Sequence, residues 1–136
     1  RDGVLLRYLL SSYSARRLGL ESTGNAGGAH NLDVAANASG LHEMVRGMGT
    51  GLVVTEMMGQ GANLLTGDYS RGAAGFWVEK GHIVHPVDGL TIAGHLPAMY
   101  QAIEAVGADV DKRSHIAMGS LLVGRMMVAG EAGAAA

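Results

Sequence analysis

At 136 residues the chain is long enough for one domain with its own apolar core. Its 10 Lys+Arg against 12 Asp+Glu leave a formal net charge of -2, and its densest basic runs, Arg16-Arg17 and Lys112-Arg113, are too short to make a phosphate-binding surface, so direct nucleic-acid binding is not expected. The absence of cysteine removes disulfides, thiolate zinc ligands and cysteine nucleophiles, and no apolar run approaches the roughly 18 residues of a membrane helix.

The 22 glycines point to many turns and close backbone approaches. The chain starts at Arg1 without a Met and ends in Ala-Gly-Ala-Ala-Ala, which reads as the C-terminal part of a longer protein. Residues 1–130 form the expected β-rich domain and 131–136 a flexible tail. A cysteine-free sequence fits a reducing cytoplasm.

Residues 4–10 are apolar and bounded by Gly3 and Ser11-Ser12, which predicts a strand. Ser12 is the expected cap of a short helix running to Leu18 and stopped by Gly19. Residues 21–30 read as loop and 32–36 as a short strand. Leu41, Met44, Val45 and Met48 fall on one helical face, with Ser39 as N-cap and Gly49 as stop. Residues 51–57 follow as a buried strand, broken by Gly59-Gln60-Gly61.

Residues 73–79 and 82–87 flank Lys80-Gly81, a hairpin signal in which Gly81 supplies positive φ. Residues 91–93 continue as strand. Leu96, Met99, Ile103 and Val106 predict a second amphipathic helix, with Pro97 in its first turn and Gly107 past its end. Residues 120–123 and 125–129 close the chain as strand, kinked at Gly124. The class is α+β: a mostly antiparallel or mixed sheet with two or three short amphipathic helices.

No complete catalytic or metal set stands in this pattern. His42-Glu43-Met44-Val45-Arg46 falls short of H-E-x-x-H because Arg46 replaces the second ligand, and a guanidinium repels a metal. Gly47 also breaks the longer H-E-x-x-x-H spacing. His82 and His85, three apart on a strand, point to opposite faces. Gly47-Met48-Gly49-Thr50-Gly51 follows a helix and precedes a strand, the reverse of a dinucleotide loop. No G-x-S-x-G elbow presents a serine. The most polar stretch beside a strand is Thr66-Gly67-Asp68-Tyr69-Ser70-Arg71-Gly72, where Asp68 and Arg71 either pair with each other or one of them anchors a peptide terminus.

Thr55-Glu56-Met57-Met58-Gly59-Gln60-Gly61 and the run from Thr66 through Asp68-Tyr69-Ser70-Arg71-Gly72 to Trp77-Val78-Glu79 resemble the C-terminal domain of the PmbA/TldE proteins. Thr91-Ile92-Ala93-Gly94, Val106-Gly107-Ala108-Asp109 and Gly119-Ser120-Leu121-Leu122 extend the resemblance. Upstream, Ser12-Tyr13-Ser14-Ala15-Arg16 and Ser22-Thr23-Gly24-Asn25-Ala26-Gly27-Gly28 also fit. Lys80 departs from the family's usual Asn, and Met118 occupies a site often Cys.

The resemblance implies the C-terminal half of a two-domain cytosolic protein. This subunit would pair with a TldD-like metallopeptidase subunit that holds the zinc, so no cofactor is expected on this chain. The implied role is to shape a cleft for unfolded or flexible polypeptide, with Gly67, Asp68, Tyr69, Ser70, Arg71 and Gly72 as substrate or interface residues. A regulatory module of the gyrase-modulator kind and a homodimeric scaffold are the alternatives. No membrane partner is implied.

Overall fold

A computed structural model describes residues 4–130. The expected tail at 131–136 lies outside the described residues. The architecture is α+β, with mostly antiparallel strand pairs and three short helices. It divides into two units.

The first unit comprises residues 4–34 and 111–117. Its helix α1, Ser12–Leu18, is capped by Ser11 rather than by Ser12. Ser11 is the residue with a partner at the third helical position: Ser14 N–H donates to Ser11 Oγ at 3.2 Å, and Ser11 N–H donates to Ser14 Oγ at 2.9 Å. Gly19, at φ 66°, closes the helix. The apolar stretch at 4–10 forms no strand, because no ladder among the described residues takes it up. It ends instead on buried Leu10, whose N–H donates to Thr23 Oγ1 at 2.7 Å. Strand β1, Leu32–Asp33, is shorter than expected and pairs in parallel with β6, Ile116–Ala117.

The second unit comprises residues 35–110 and 118–130. Helix α2, Leu41–Met48, buries Met44 and Val45, as its apolar spacing predicts. Its N-cap is Gly40, not Ser39, and no side chain caps it. Strands β2 (Gly51–Met58), β3 (Asp68–Glu79) and β4 (His82–His95) form an antiparallel meander, with β8 (Met127–Ala129) on the far side in the order β2-β3-β4-β8. The β3–β4 hairpin is longer than expected. Its turn takes positive φ at both Lys80 (51°) and Gly81 (75°), the pattern of a type I′ turn. Gly81 is required twice over, because a Cβ there would also press on the Arg46 backbone.

Fully buried Ala73 and Val78 on β3 and buried Ile92 on β4 mark the sheet's core. Strand β2 departs from its expected burial: its residues from Val54 to Met58 are exposed. The second amphipathic helix is also shorter than its pattern. Helix α3, Leu96–Gln101, stops when Ala102 N–H turns back to the Ala98 and Met99 carbonyls. Residues Ile103–Val106 are instead strand β5, paired antiparallel with β7, Leu121–Val123. Beyond Gly124 the chain leaves that pair and joins the large sheet as β8, so the final strand is two strands in two sheets.

Candidate functional site

The turn between β2 and β3 and the first residues of β3 form the candidate site. Beyond Met58 the chain kinks at Gly59 and resumes pairing where Ala62 bridges Tyr69. Asn63 then builds the turn. Its Oδ1 accepts from the N–H groups of Leu65 at 3.0 Å and Thr66 at 3.3 Å, and its carbonyl accepts from Gly67 N–H at 2.8 Å. Gly67 sits at φ 82°, and a Cβ there would lie 2.7 Å from His95 Nε2. That ring nitrogen donates to the Thr66 carbonyl at 3.1 Å, while Leu96 N–H donates to the Gly67 carbonyl at 2.7 Å. The end of β4 therefore holds the turn in place.

Period-2 alternation along β3 separates the charged residues. Asp68 and Ser70 are exposed. Asp68 Oδ2 accepts from Thr66 Oγ1 at 2.7 Å, and Ser70 N–H donates to the Gly61 carbonyl at 2.8 Å. Tyr69 and Arg71 are half-buried and both reach back to β2. Tyr69 Oη donates to Met57 Sδ at 3.2 Å, and Arg71 Nη2 donates to the Met57 carbonyl at 3.2 Å. Arg71 Nε is buried without a partner. Asp68 and Arg71 do not pair with each other, which corrects one of the two expectations for them. Gly72 lies opposite Met58, where a Cβ would be 3.4 Å from the Met58 Cβ. The segment Gly67, Asp68, Tyr69, Ser70, Arg71, Gly72 is thus a structured strand start with an exposed carboxylate and hydroxyl on one side and a Tyr–Arg clamp on Met57 on the other.

Sequence reasoning missed two features. One is the exposed leucine pair at the turn tip: Leu64 is 86% and Leu65 98% exposed. Its signal was Asn63 and Thr66-Gly67, turn-forming residues enclosing two leucines. The other is the junction between two stretches that carried the resemblance. Ser120 Oγ donates to Asp109 Oδ2 at 2.6 Å, and Gly107 N–H donates to the Ser120 carbonyl at 2.8 Å. The Ser120 hydrogen bond holds the Asp109 carboxyl below the usual carboxylate range. Only long-range contact information reveals this pair.

Trp77 is half-buried; its Nε1 donates to Glu79 Oε1 at 3.0 Å. The adjacent Val78 is the residue facing inward. His42, Glu43 and Arg46 lie exposed on α2, and among the described residues no three His, Cys, Asp or Glu side chains converge. No described helix is long and apolar enough to cross a membrane.

The chain is 56% identical over 131 residues to the metalloprotease PmbA of Escherichia coli O157:H7, covering 96% of this chain and 29% of that protein. It is 52% identical over 130 residues to the metalloprotease PmbA homolog of Haemophilus influenzae, covering 95% of this chain and 29% of that one. Its fold matches a Thermotoga maritima crystal structure, whose name links it to modulation of a DNA gyrase, at TM-score 0.80 and 37% identity over 94% of this chain and 31% of that one. A Bacteroides thetaiotaomicron structure with a similar name matches at TM-score 0.85 and 29% identity, over 94% of this chain and 29% of that one. The chain therefore spans 29% of the length of these PmbA relatives. Residues 1–130 match the PmbA/TldA metallopeptidase C-terminal domain, and the chain belongs to that family.

Proposed function

We propose that this chain is the polypeptide-binding part of the non-metal subunit in a two-subunit metallopeptidase of the cytosol. A TldD-like partner supplies the zinc and the proton-transfer groups, and no chemical step falls on residues of this chain. The single observation that carries the binding role is the outer edge of β2. Strand β2 stands at the end of the sheet, and no described strand pairs with its free side. Such an edge offers a row of backbone donors and acceptors that an extended polypeptide satisfies without regard to its sequence. Flexible substrates suit this mode because they can enter as a strand. The turn and the start of β3, from Gly67 to Gly72, continue the same hairpin and complete the cleft or the subunit interface.

Mixing the purified subunits tests the proposal. Neither the full-length parent nor its partner alone is expected to cleave an unstructured polypeptide at the rate of the pair, and elemental analysis is expected to find zinc on the partner. Zinc bound stoichiometrically by the parent alone, together with cleavage by the parent alone, sinks the reading.

A further inference from the structure

On a regular strand the spacing of His82 and His85 sends them to opposite faces. Strand β4 is not regular at that point. Its register against β3 pairs Glu79 with His82, Val78 with Ile83 and Trp77 with His85, which leaves Val84 as the extra residue of a β-bulge. Residues directly opposite in an antiparallel pair share a face. Glu79 and Trp77 lie on one face, where Trp77 Nε1 donates to Glu79 Oε1 at 3.0 Å. The bulge therefore turns both histidines to that face. Their separation becomes that of an i, i+2 pair, roughly 6–7 Å along the strand. The hairpin end beneath them is fixed: Lys80 and Gly81 take the type I′ turn, and Gly81 N–H donates to the Gly49 carbonyl at 2.8 Å.

The proton of His85 is placed as well. Its Nδ1 lies 3.1 Å from the Pro86 carbonyl oxygen. A carbonyl only accepts, so Nδ1 carries the proton and the neutral ring keeps its lone pair on Nε2. Metal-binding histidines are commonly held in this way, with one ring nitrogen on a backbone carbonyl and the other on the ion. Both His82 and His85 are exposed. The charged groups beside them are Glu79 on the same face, Lys80 in the turn and Arg46 of α2, whose backbone lies against Gly81. The two cations weaken ion binding but occupy neither imidazole, and the Glu79 carboxylate partly offsets them.

We infer that the bulged face of the β3–β4 hairpin is a binding site for a divalent transition-metal ion that favours imidazole, such as Ni2+, Cu2+ or Zn2+. His85 Nε2 and one ring nitrogen of His82 are its ligands, and water completes the coordination. Mg2+ and Ca2+ take oxygen ligands and are not held by this pair.

Calorimetric titration of the chelator-stripped full-length parent with Ni2+ is the test. Wild type is expected to take up one ion that excess Mg2+ does not displace. His82→Asn and His85→Asn are each expected to weaken that uptake at least about ten-fold, with unchanged melting temperatures because both side chains are exposed. His30→Asn, an exposed histidine of the first unit, is expected to bind as wild type does. Paramagnetic Ni2+ provides a check on folded wild type, where the ring signals of His82 and His85 are expected to broaden before those of other histidines. Wild-type uptake in the His82 or the His85 variant overturns the inference, because the ion is then an adventitious one held elsewhere. An equal loss in the His30 variant, broadening that spares either ring, or no uptake by wild type at all overturns it too.

Discussion

Asp68 and Arg71 stand three residues apart on a strand, and that odd spacing keeps them from pairing. Each finds a different neighbour: Thr66 Oγ1 for the carboxylate and the Met57 carbonyl for the guanidinium. The same alternation rule separates His82 from His85 in the sequence, so the outcome for Asp68 and Arg71 was legible once the strand was known to begin at Asp68. The Asp109–Ser120 junction was not legible, because 11 residues and strand β7's pairing with β5 lie behind it. It carries a pH dependence. A carboxyl held below its ordinary value of 3.8 stabilises the fold above the unfolded value, and that contribution is lost as pH falls through the folded one. Asp111, lowered to about 2 by its Arg113 hydrogen bond, loses its contribution in the same acidic window. Ser120→Ala isolates the first group. Thermal melts from pH 6 to pH 2 are expected to show a shallower acid loss in this variant than in wild type, and parallel curves would contradict the assignment.

At the scale of elements, the β3–β4 hairpin was the most readable part of the chain, because Lys80-Gly81 sits between two apolar runs. Lys80 is the one non-glycine residue with positive φ among those described, at 51°. A lysine gains nothing there that Asn does not, and Asn tolerates this conformation better. Lys80→Asn is expected to stabilise by about 0.5–1 kcal/mol in a melting or denaturant experiment; an unchanged or lower stability would show that the lysine side chain compensates. Trp77, half-buried, is expected to cost about 1–3 kcal/mol when replaced by Ala, below the roughly 3–5 of a fully enclosed Trp. A larger loss in the full-length parent would mean that Trp77 is covered there. Helix α3 was half-readable. Leu96, Met99, Ile103 and Val106 keep helical spacing, but Ile103 and Val106 are equally suited to a strand, and pairing with β7 decides in its favour. Residues 4–10 failed for the opposite reason: an apolar run becomes a strand only where a partner strand exists.

At the scale of the molecule, the family and the α+β class were readable from the motifs, while the division into two units and the separate sheets of β7 and β8 depended on contacts distant in sequence. Neither unit buries a charged or polar side chain among the described residues, and both expose large apolar ones, among them Leu5, Leu6 and Tyr13 in the first and Leu64, Leu65 and Met127 in the second. The proposed binding role falls at the end of one hairpin, where the edge of β2 that no described strand pairs with meets the segment from Gly67 to Gly72. Because Asp68 and Arg71 form no mutual ion pair, their double replacement removes only exposed or edge hydrogen bonds, each worth about 1 kcal/mol. The most direct test is polypeptide cleavage by the reconstituted two-subunit assembly carrying Asp68→Ala and Arg71→Ala, beside a melting curve of the variant. The account predicts a melting temperature close to that of wild type and cleavage reduced at least ten-fold; full cleavage by the folded double variant would contradict it.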